Sequence, residues 1–397
     1  MSDIYTRLGV PRRINAAGTL TRLGGSLMAP EVLQAMQQAA GASVDIAQLQ
    51  SAASRMIAAA TGAQAGIVTS GAAAALTLAT AACLARWDAA RMSALPDTRS
   101  MPNRVLMART HRNSYDHAVR AAGAHIVDIG HNDRGTGAGV RGLEAWEIAA
   151  AVDEQTVALV FVATAQTVAD LPLVLTAMHD KGLPVIVDAA AQLPPKSNLR
   201  RFIEAGADLV LFSGGKAIGG PQSSGILAGR RDLVGSALVQ MMDMDVSPQT
   251  WSSPDLIDRD AMKGIPHHGI GRGFKVGKEE IAGLLSALER FITRDEDAIA
   301  AQLAQRLRAI AAALAREGSI TTRLVAAGPD TPVPLLELEV TGSAHALSRR
   351  LQLGDPPVHL AERLADAGIL TINPQTLRPE DDTDLVRCLI EASRSSE

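Results

Sequence analysis

Aromatic side chains are scarce in this chain: three Trp, two Tyr and five Phe make up 3% of its 397 residues. The stacking platforms on which single-stranded nucleic acids bind are therefore few. Cysteine is scarcer still. Cys83 and Cys388 stand far apart, each on a helical apolar pattern, which excludes a disulfide framework and predicts two buried thiols. No excess of one charge exists either. Lys plus Arg number 38 against 42 Asp plus Glu, a net −4, and no block of five or six like charges occurs, so neither RNA nor an anionic membrane is the expected partner. The longest weakly polar stretch, Ala72 to Ala85, is mostly alanine with two Thr. It lacks the roughly 20 strongly apolar residues of a membrane span and reads as a buried helix. Met1 to Val10 carries Asp3, Tyr5 and Arg7 where a secretory leader needs an apolar run, so the expected compartment is the cytoplasm.

What is present is a globular composition, 47% apolar and 20% charged, on a chain too long for one ordinary core. Short β-branched runs alternate with helical patterns: Gly66–Thr69, Val105–Ala108, His125–Ile129, Val157–Val162, Val185–Asp188, Leu209–Ser213 and Gly225–Ala228. Near-continuous apolar strands separated by helices require a sheet covered on both faces, which predicts an α/β domain with a mostly parallel, seven-stranded sheet. After Gly277 the pattern changes to a long helical stretch, Lys278 to Glu317, a strand within Val333–Val340, and helices near Ala344–Leu353 and Asp381–Ala392. The expected division is an N-terminal segment 1–45 that packs on the small domain or a partner chain, a large domain 46–265, and a small α+β domain 266–397. Trp251 to Arg272, rich in Gly, Pro and His, is expected to be a functional loop or a linker.

Several chemistries find no support. Gly137-Ala138-Gly139-Val140-Arg141-Gly142 has dinucleotide spacing, but His131 to Thr136 intervenes after the strand and removes the tight strand-to-helix turn that gives the glycines their purpose. No phosphate loop of the NTPase kind occurs. No His pair stands at helical metal spacing with a carboxylate behind it, and His267 and His268 are adjacent, so no metal site is expected.

The informative residues are at strand ends. An apolar strand, Leu209–Phe212, runs into Ser213-Gly214-Gly215-Lys216, which delivers an amine where α/β folds bind ligands. A second, Val185–Val187, ends in Asp188, whose carboxylate suits a ring nitrogen, a metal or a helix N-cap. The amine and the carboxylate, one helix and one strand apart, are what pyridoxal phosphate needs: a Schiff-base lysine and an acid that keeps the pyridine protonated. Thr69-Ser70-Gly71-Ala72 leads from a strand into the alanine-rich helix and suits a phosphate. Ser213 offers a second hydroxyl. His111 and Arg112 follow another strand, the imidazole suited to stacking on a ring and the guanidinium to an anion.

With Asn15 to Gly24, Asp188 to Pro195, Phe212 to Gln222, Arg272 to Lys278 and Gly354 to Val358 taken together, the chain resembles the bacterial L-seryl-tRNA(Sec) selenium transferase superfamily. It is more similar to that superfamily's shorter members of the D-glucosaminate-6-phosphate ammonia-lyase type. The resemblance implies a pyridoxal-phosphate enzyme of the aspartate-aminotransferase fold (fold type I), a homodimer or dimer-based oligomer acting on a small amino acid. It makes Lys216 the Schiff-base lysine, Asp188 the pyridinium partner and His111 the stacking residue. Ser70, Gly71, Ala72 and Ser213 would surround the phosphate, and Arg272 would bind an anion near the dimer interface. In related folds a Gln three residues after the acid bonds the cofactor; here Ala191 holds that position and Gln192 follows. Arg112, Arg272 and Arg378 are the candidates for a substrate carboxylate or phosphate. The expected reaction is removal of water and ammonia from a 2-amino-3-hydroxy acid. Racemisation, retro-aldol cleavage and transamination are the alternatives on the same scaffold. A tRNA-dependent selenium transferase is disfavoured, since only Met1 to Arg13 precede the Asn15 motif, where selenium transferases carry a tRNA-binding domain.

Overall fold

The computed structural model describes residues 3–131, 143–316, 320–328 and 331–394; the glycine hexapeptide at 137–142 lies outside the described residues. The strands are β1 (Ile14–Ala16), β2 (Ala65–Thr69), β3 (Arg104–Ala108), β4 (His125–Ile129), β5 (Thr156–Val162), β6 (Val185–Asp188), β7 (Leu209–Ser213), β8 (Gly225–Gly229), β9 (Thr321–Val325), β10 (Leu335–Glu339), β11 (Val358–Leu360) and β12 (Ile369–Ile372). The chain divides into two compact units, Met28–Ile292 and Met1–Leu27 with Thr293–Glu397.

In the larger unit seven strands form one sheet in the order β2-β8-β7-β6-β5-β3-β4. β4, β3, β5, β6 and β7 run parallel, while β8 is antiparallel to both its neighbours. This is the mostly parallel, seven-stranded sheet that the alternating strand and helix pattern predicted. Unbroken apolar runs in β2, β6, β7 and β8 are buried because helices cover both faces. The helix Ala72–Ala85 is buried from Ala75 onward, which is why alanine and leucine appear on every side of it.

Trp251 to Arg272 is no linker. Trp251, Leu256, Ile257 and Met262 are buried in the core of the larger unit, and Arg231 holds the Asp255 carbonyl at 2.6 Å. The next helix, Lys278–Thr293, puts Ile281, Leu284, Leu288 and Phe291 into the same core. The break between units therefore falls after this helix, at 292/293 and not at 265/266. The long helical stretch is two helices, Lys278–Thr293 and Glu296–Arg316.

In the smaller unit β1 pairs in parallel with β11, and β12-β10-β9 form an antiparallel sheet. The helices Glu296–Arg316, Ala344–Leu353 and Asp382–Arg394 cover a second core built on Leu307, Leu336, Leu351, Leu370 and Leu389. Residues through Leu27 belong to this unit and 28–45 to the larger one. Cys83 and Cys388 are free and buried, and burial pushes the Cys83 thiol up to about 12. Among the described residues no helix is long and apolar enough to cross a membrane.

Candidate active site

β2 ends at Thr69, and Ser70-Gly71 turns the chain into the helix Ala72–Ala85. Gly71 has φ +137°, a conformation open to glycine. No side chain among the described residues caps this helix, so its first N–H groups and the positive end of its dipole are available to an anion. β8 starts hard against the turn. A Cβ on Gly225 would stand 2.6 Å from the Gly71 carbonyl carbon and 2.8 Å from the Ala72 nitrogen, so the backbones meet with no side chain between them. Ser70 is occupied differently from the expectation: its Oγ donates to the Phe274 carbonyl at 2.7 Å.

Asp188 closes β6, in register with Val162 of β5 on one side and Leu211 of β7 on the other. β7 ends two residues later at Ser213, which is half-buried, and the following turn carries Lys216. The Gly214 N–H donates to the Ser224 carbonyl and the Gly220 N–H to the Gly214 carbonyl, both at 2.9 Å, closing the turn at its base. A Cβ on Gly214 would stand 2.1 Å from Ser224 Oγ and 2.6 Å from Leu284 Cδ1, which explains the first of the two glycines before the lysine. Lys216 and Asp188 sense one another. Burial is the larger influence on both, lowering the amine and raising the carboxyl, and the opposite charge of each offsets part of the effect on the other. Asp188 Oδ1 also accepts the Ala190 N–H at 3.0 Å, a turn bond and not the helix N-cap, since the next helix starts only at Asn198.

His111 ends the short 3-10 turn after β3 and is buried. Its ring stands edge-to-face on Phe161, centroids 4.7 Å apart at 87°. Its Nδ1 accepts the Val162 N–H at 3.3 Å. Burial drives its pKa down to about 4, so the ring is neutral. Gln192 lies in the turn after Asp188; its N–H bonds the Ala189 carbonyl at 3.0 Å, and its own carbonyl takes Asn198 Nδ2 at 2.7 Å. Lys216, Asp188, Ser213, His111 and the Ser70–Ala72 turn thus gather at one end of one sheet.

The three arginines do not share this setting. Arg112 is bound by the carboxylates of Asp116 and Asp128, so its fork is already engaged by acids of its own chain. Arg272 donates to Asp243 at 3.0 Å, and its Nε has no partner among the described residues. Arg378 belongs to the smaller unit, where Asp381 grips it twice, at 2.5 and 2.9 Å. Asp243, Asp245 and His268 bring ligand-type atoms within 4.8 Å of one another, but all three residues are exposed and Arg272 already neutralises Asp243, so the cluster is an ion-pair network. Sequence reasoning missed the backbone N–H of Val162, the Phe274 carbonyl and Asn198. The first two are main-chain groups, which no residue type announces, and Asn198 acts through a distant turn.

The family model of L-seryl-tRNA selenium transferase matches residues 107–243. A 5'-C-glycyluridine monooxygenase-decarboxylase from a Streptomyces species is 32% identical over 98% of this chain and 91% of its own. The D-glucosaminate-6-phosphate ammonia lyase of Salmonella typhimurium is 34% identical over 78% of this chain and 76% of its own. A solved D-glucosaminate-6-phosphate ammonia-lyase superposes with a TM-score of 0.82 at 28% identity, covering 99% of both chains. A serine palmitoyltransferase solved with pyridoxal phosphate shares the fold, at a TM-score of 0.53 and 14% identity over 96% of this chain and 88% of that one.

Proposed function

Since this chain belongs to the family of pyridoxal-phosphate enzymes that holds L-seryl-tRNA(Sec) selenium transferase and D-glucosaminate-6-phosphate ammonia lyase, we propose that it removes water and ammonia from a 2-amino-3-hydroxy acid and leaves a 2-oxo acid. The agreement with the solved ammonia-lyase over 99% of both chains carries this reading. Of the curated relatives, one is named for D-glucosaminate-6-phosphate and one for 5'-C-glycyluridine.

The residues fit the cofactor. An uncapped helix start beside two close-set glycine backbones suits its phosphate. An amine whose pKa burial lowers, beside a carboxylate, suits its aldehyde and its ring nitrogen. When bound, pyridoxal phosphate supplies a protonated pyridine that accepts the electron pair left as Cα loses its proton. Lys216 Nζ would hold the cofactor covalently at rest and, once released, move the Cα proton. Asp188 would keep the ring nitrogen protonated. His111, neutral and fixed by Val162, would lie against the ring as a flat apolar wall, with Gln192 beside it. Backbone N–H groups of Gly71 and Ala72, with Ser213 and the Ser70 main chain, would receive the phosphate, and Arg272 would have to leave Asp243 to meet a substrate anion.

The same reading makes the enzyme a homodimer acting on amino acids in the cytoplasm. Two free, buried thiols accord with a reducing compartment. A second reading, oxidative decarboxylation, is favoured by the 32% identity over 98% of the chain with the monooxygenase-decarboxylase. A panel of L- and D-3-hydroxyamino acids, with and without phosphate, separates the readings. Ammonia and 2-oxo acid in equal amounts, with no amino acceptor added, mark the lyase. Carbon dioxide with oxygen uptake marks the second reading, and exchange of the Cα proton without ammonia marks a racemase.

A further inference from the structure

His111 is held by its backbone as well as by its ring. Its carbonyl accepts Asn113 Nδ2 at 3.0 Å, and the Asn113 N–H donates in turn to Asp116 Oδ1 at 3.3 Å. The three-residue turn Arg109–His111 is thereby tied to the first residue of the helix Asp116–Ala121. Arg112 fastens the same turn twice more. Its Nε donates to Asp116 Oδ2, and a second guanidinium nitrogen donates to Asp128 Oδ1 on β4. One side chain therefore bridges the helix start and the strand that pairs with β3.

The bridge is built on a buried charge. Asp116 is only 5% exposed, and a carboxylate enclosed to that degree is costly unless it is paired and hydrogen-bonded. Among the described residues its ion-pair partner is Arg112. With Asp128 on its other side, the guanidinium stands as one positive charge against two carboxylates, which leaves no surplus to attract a substrate anion. The helix Asp116–Ala121 is anchored on the far side too. Thr77 Oγ1, on the helix Ala72–Ala85, donates to the Ala118 carbonyl at 3.0 Å. The helix that offers its start to the phosphate and the turn that carries His111 are thus fixed to one and the same short helix. Arg112 is the charged part of that fixing.

We infer that Arg112 is a positioning residue that acts through His111: by bridging Asp116 and Asp128 it holds the turn 109–111 and sets the tilt of the imidazole against the cofactor ring, a role that rests on the proposed place of His111 beside that ring. It does not read a substrate anion.

Pyridoxal phosphate is achiral, so the visible circular dichroism of the loaded protein reports the groups that surround it, with no substrate and no turnover. Arg112→Gln leaves Asp116 buried without its counter-charge and should lower the dichroism per bound cofactor and weaken cofactor binding about threefold. Asp128→Asn, at an exposed position of β4, frees one arm of the guanidinium and should move both readouts the same way by less. In a His111→Ala background Arg112→Gln should change them hardly at all, because a residue that works through the imidazole has nothing left to position. Equal effects of Arg112→Gln with and without the imidazole overturn the inference, as does Asp128→Asn with wild-type readouts. Should Arg112→Gln fail to fold, Asp128→Asn carried into the His111→Ala background decides by the same criterion. Wild-type dichroism in His111→Ala removes His111 from the ring and this role of Arg112 with it, whereas a changed His111→Ala beside an unchanged Arg112→Gln overturns the role of Arg112 alone. Failure of the lyase reading shows separately, in the amino-acid panel.

Discussion

The backbone N–H of Val162 donates to Nδ1 of His111 across 3.3 Å, and that bond places the ring's proton on Nε2. Burial holds the pKa near 4 against 6.5 for an ordinary imidazole. The unfolded chain therefore takes up a proton between these values that the folded chain refuses. Stability from this residue is intact above pH 6.5 and declines as pH falls toward 4, on the order of 3 kcal/mol across the window. Denaturant unfolding of the wild type and His111→Phe at about pH 7.5 and about pH 4.5 should show the wild type losing more on acidification. Parallel losses would mean that the ring is not held neutral.

Lys216→Ala should abolish both turnover and the cofactor adduct fixed by borohydride, because no other group can supply the amine. Peptide mapping of the reduced wild type should find the adduct on Lys216. A labelled peptide containing Lys263 or Lys275 would refute the assignment.

Asp188 offers a test in which stability and activity move oppositely. Its carboxyl is raised by burial, so its favourable contribution is present below the ordinary value of 3.8 and lost as pH rises through the folded value. Burial therefore disfavours the charged carboxylate in the cofactor-free fold. Cofactor-free Asp188→Asn should melt higher than the wild type, while turnover of the loaded variant falls by about a thousandfold or more. Near-normal turnover would leave Asp188 with only its turn bond to Ala190.

Ser70→Ala removes the hydroxyl that holds the Phe274 carbonyl. A bond of this kind is worth about 1 kcal/mol, so cofactor affinity should drop less than about tenfold. Hydrogen exchange over 270–275 should quicken. A far larger loss of affinity would show that the hydroxyl turns to the phosphate when the cofactor is bound.

Sedimentation at assay concentration should give a dimer or a multiple of it. The larger unit leaves Leu33, Val44 and Val246 exposed, and exposed apolar side chains of this size suit a protein contact. A fully active monomer would remove the homodimer from the proposal.

The large sheet was legible because each strand in it is a run of β-branched and apolar residues, and covering helices make such runs continuous. Lys216 and Asp188 were legible for the same reason: a charge at the end of an apolar run stands out. The smaller unit was legible only in part: the strand within Val333–Val340 and the helices near Ala344–Leu353 and Asp381–Ala392 are present, but its other strands were not readable. β1 and β11 are three residues each, and β9, Thr-Thr-Arg-Leu-Val, is a half-exposed edge with no alternation to read. The Arg112 fork could not be read either, because Asp116 and Asp128 reach it only through the turn after β3 and the neighbouring strand.

The place of β8 has a metric consequence. It lies between β2 and β7, so the turn that begins at Ser70 and the turn that carries Lys216 are two strand spacings apart, about 10 Å between strand axes. Hydrogen-bonded ladders fix that span, not loops, and a molecule that must touch both turns is measured against it. The sheet acts as a calliper. A pyridoxal analogue lengthened by one methylene between ring and phosphate would have to release either the amine or the helix start, whatever its chemistry.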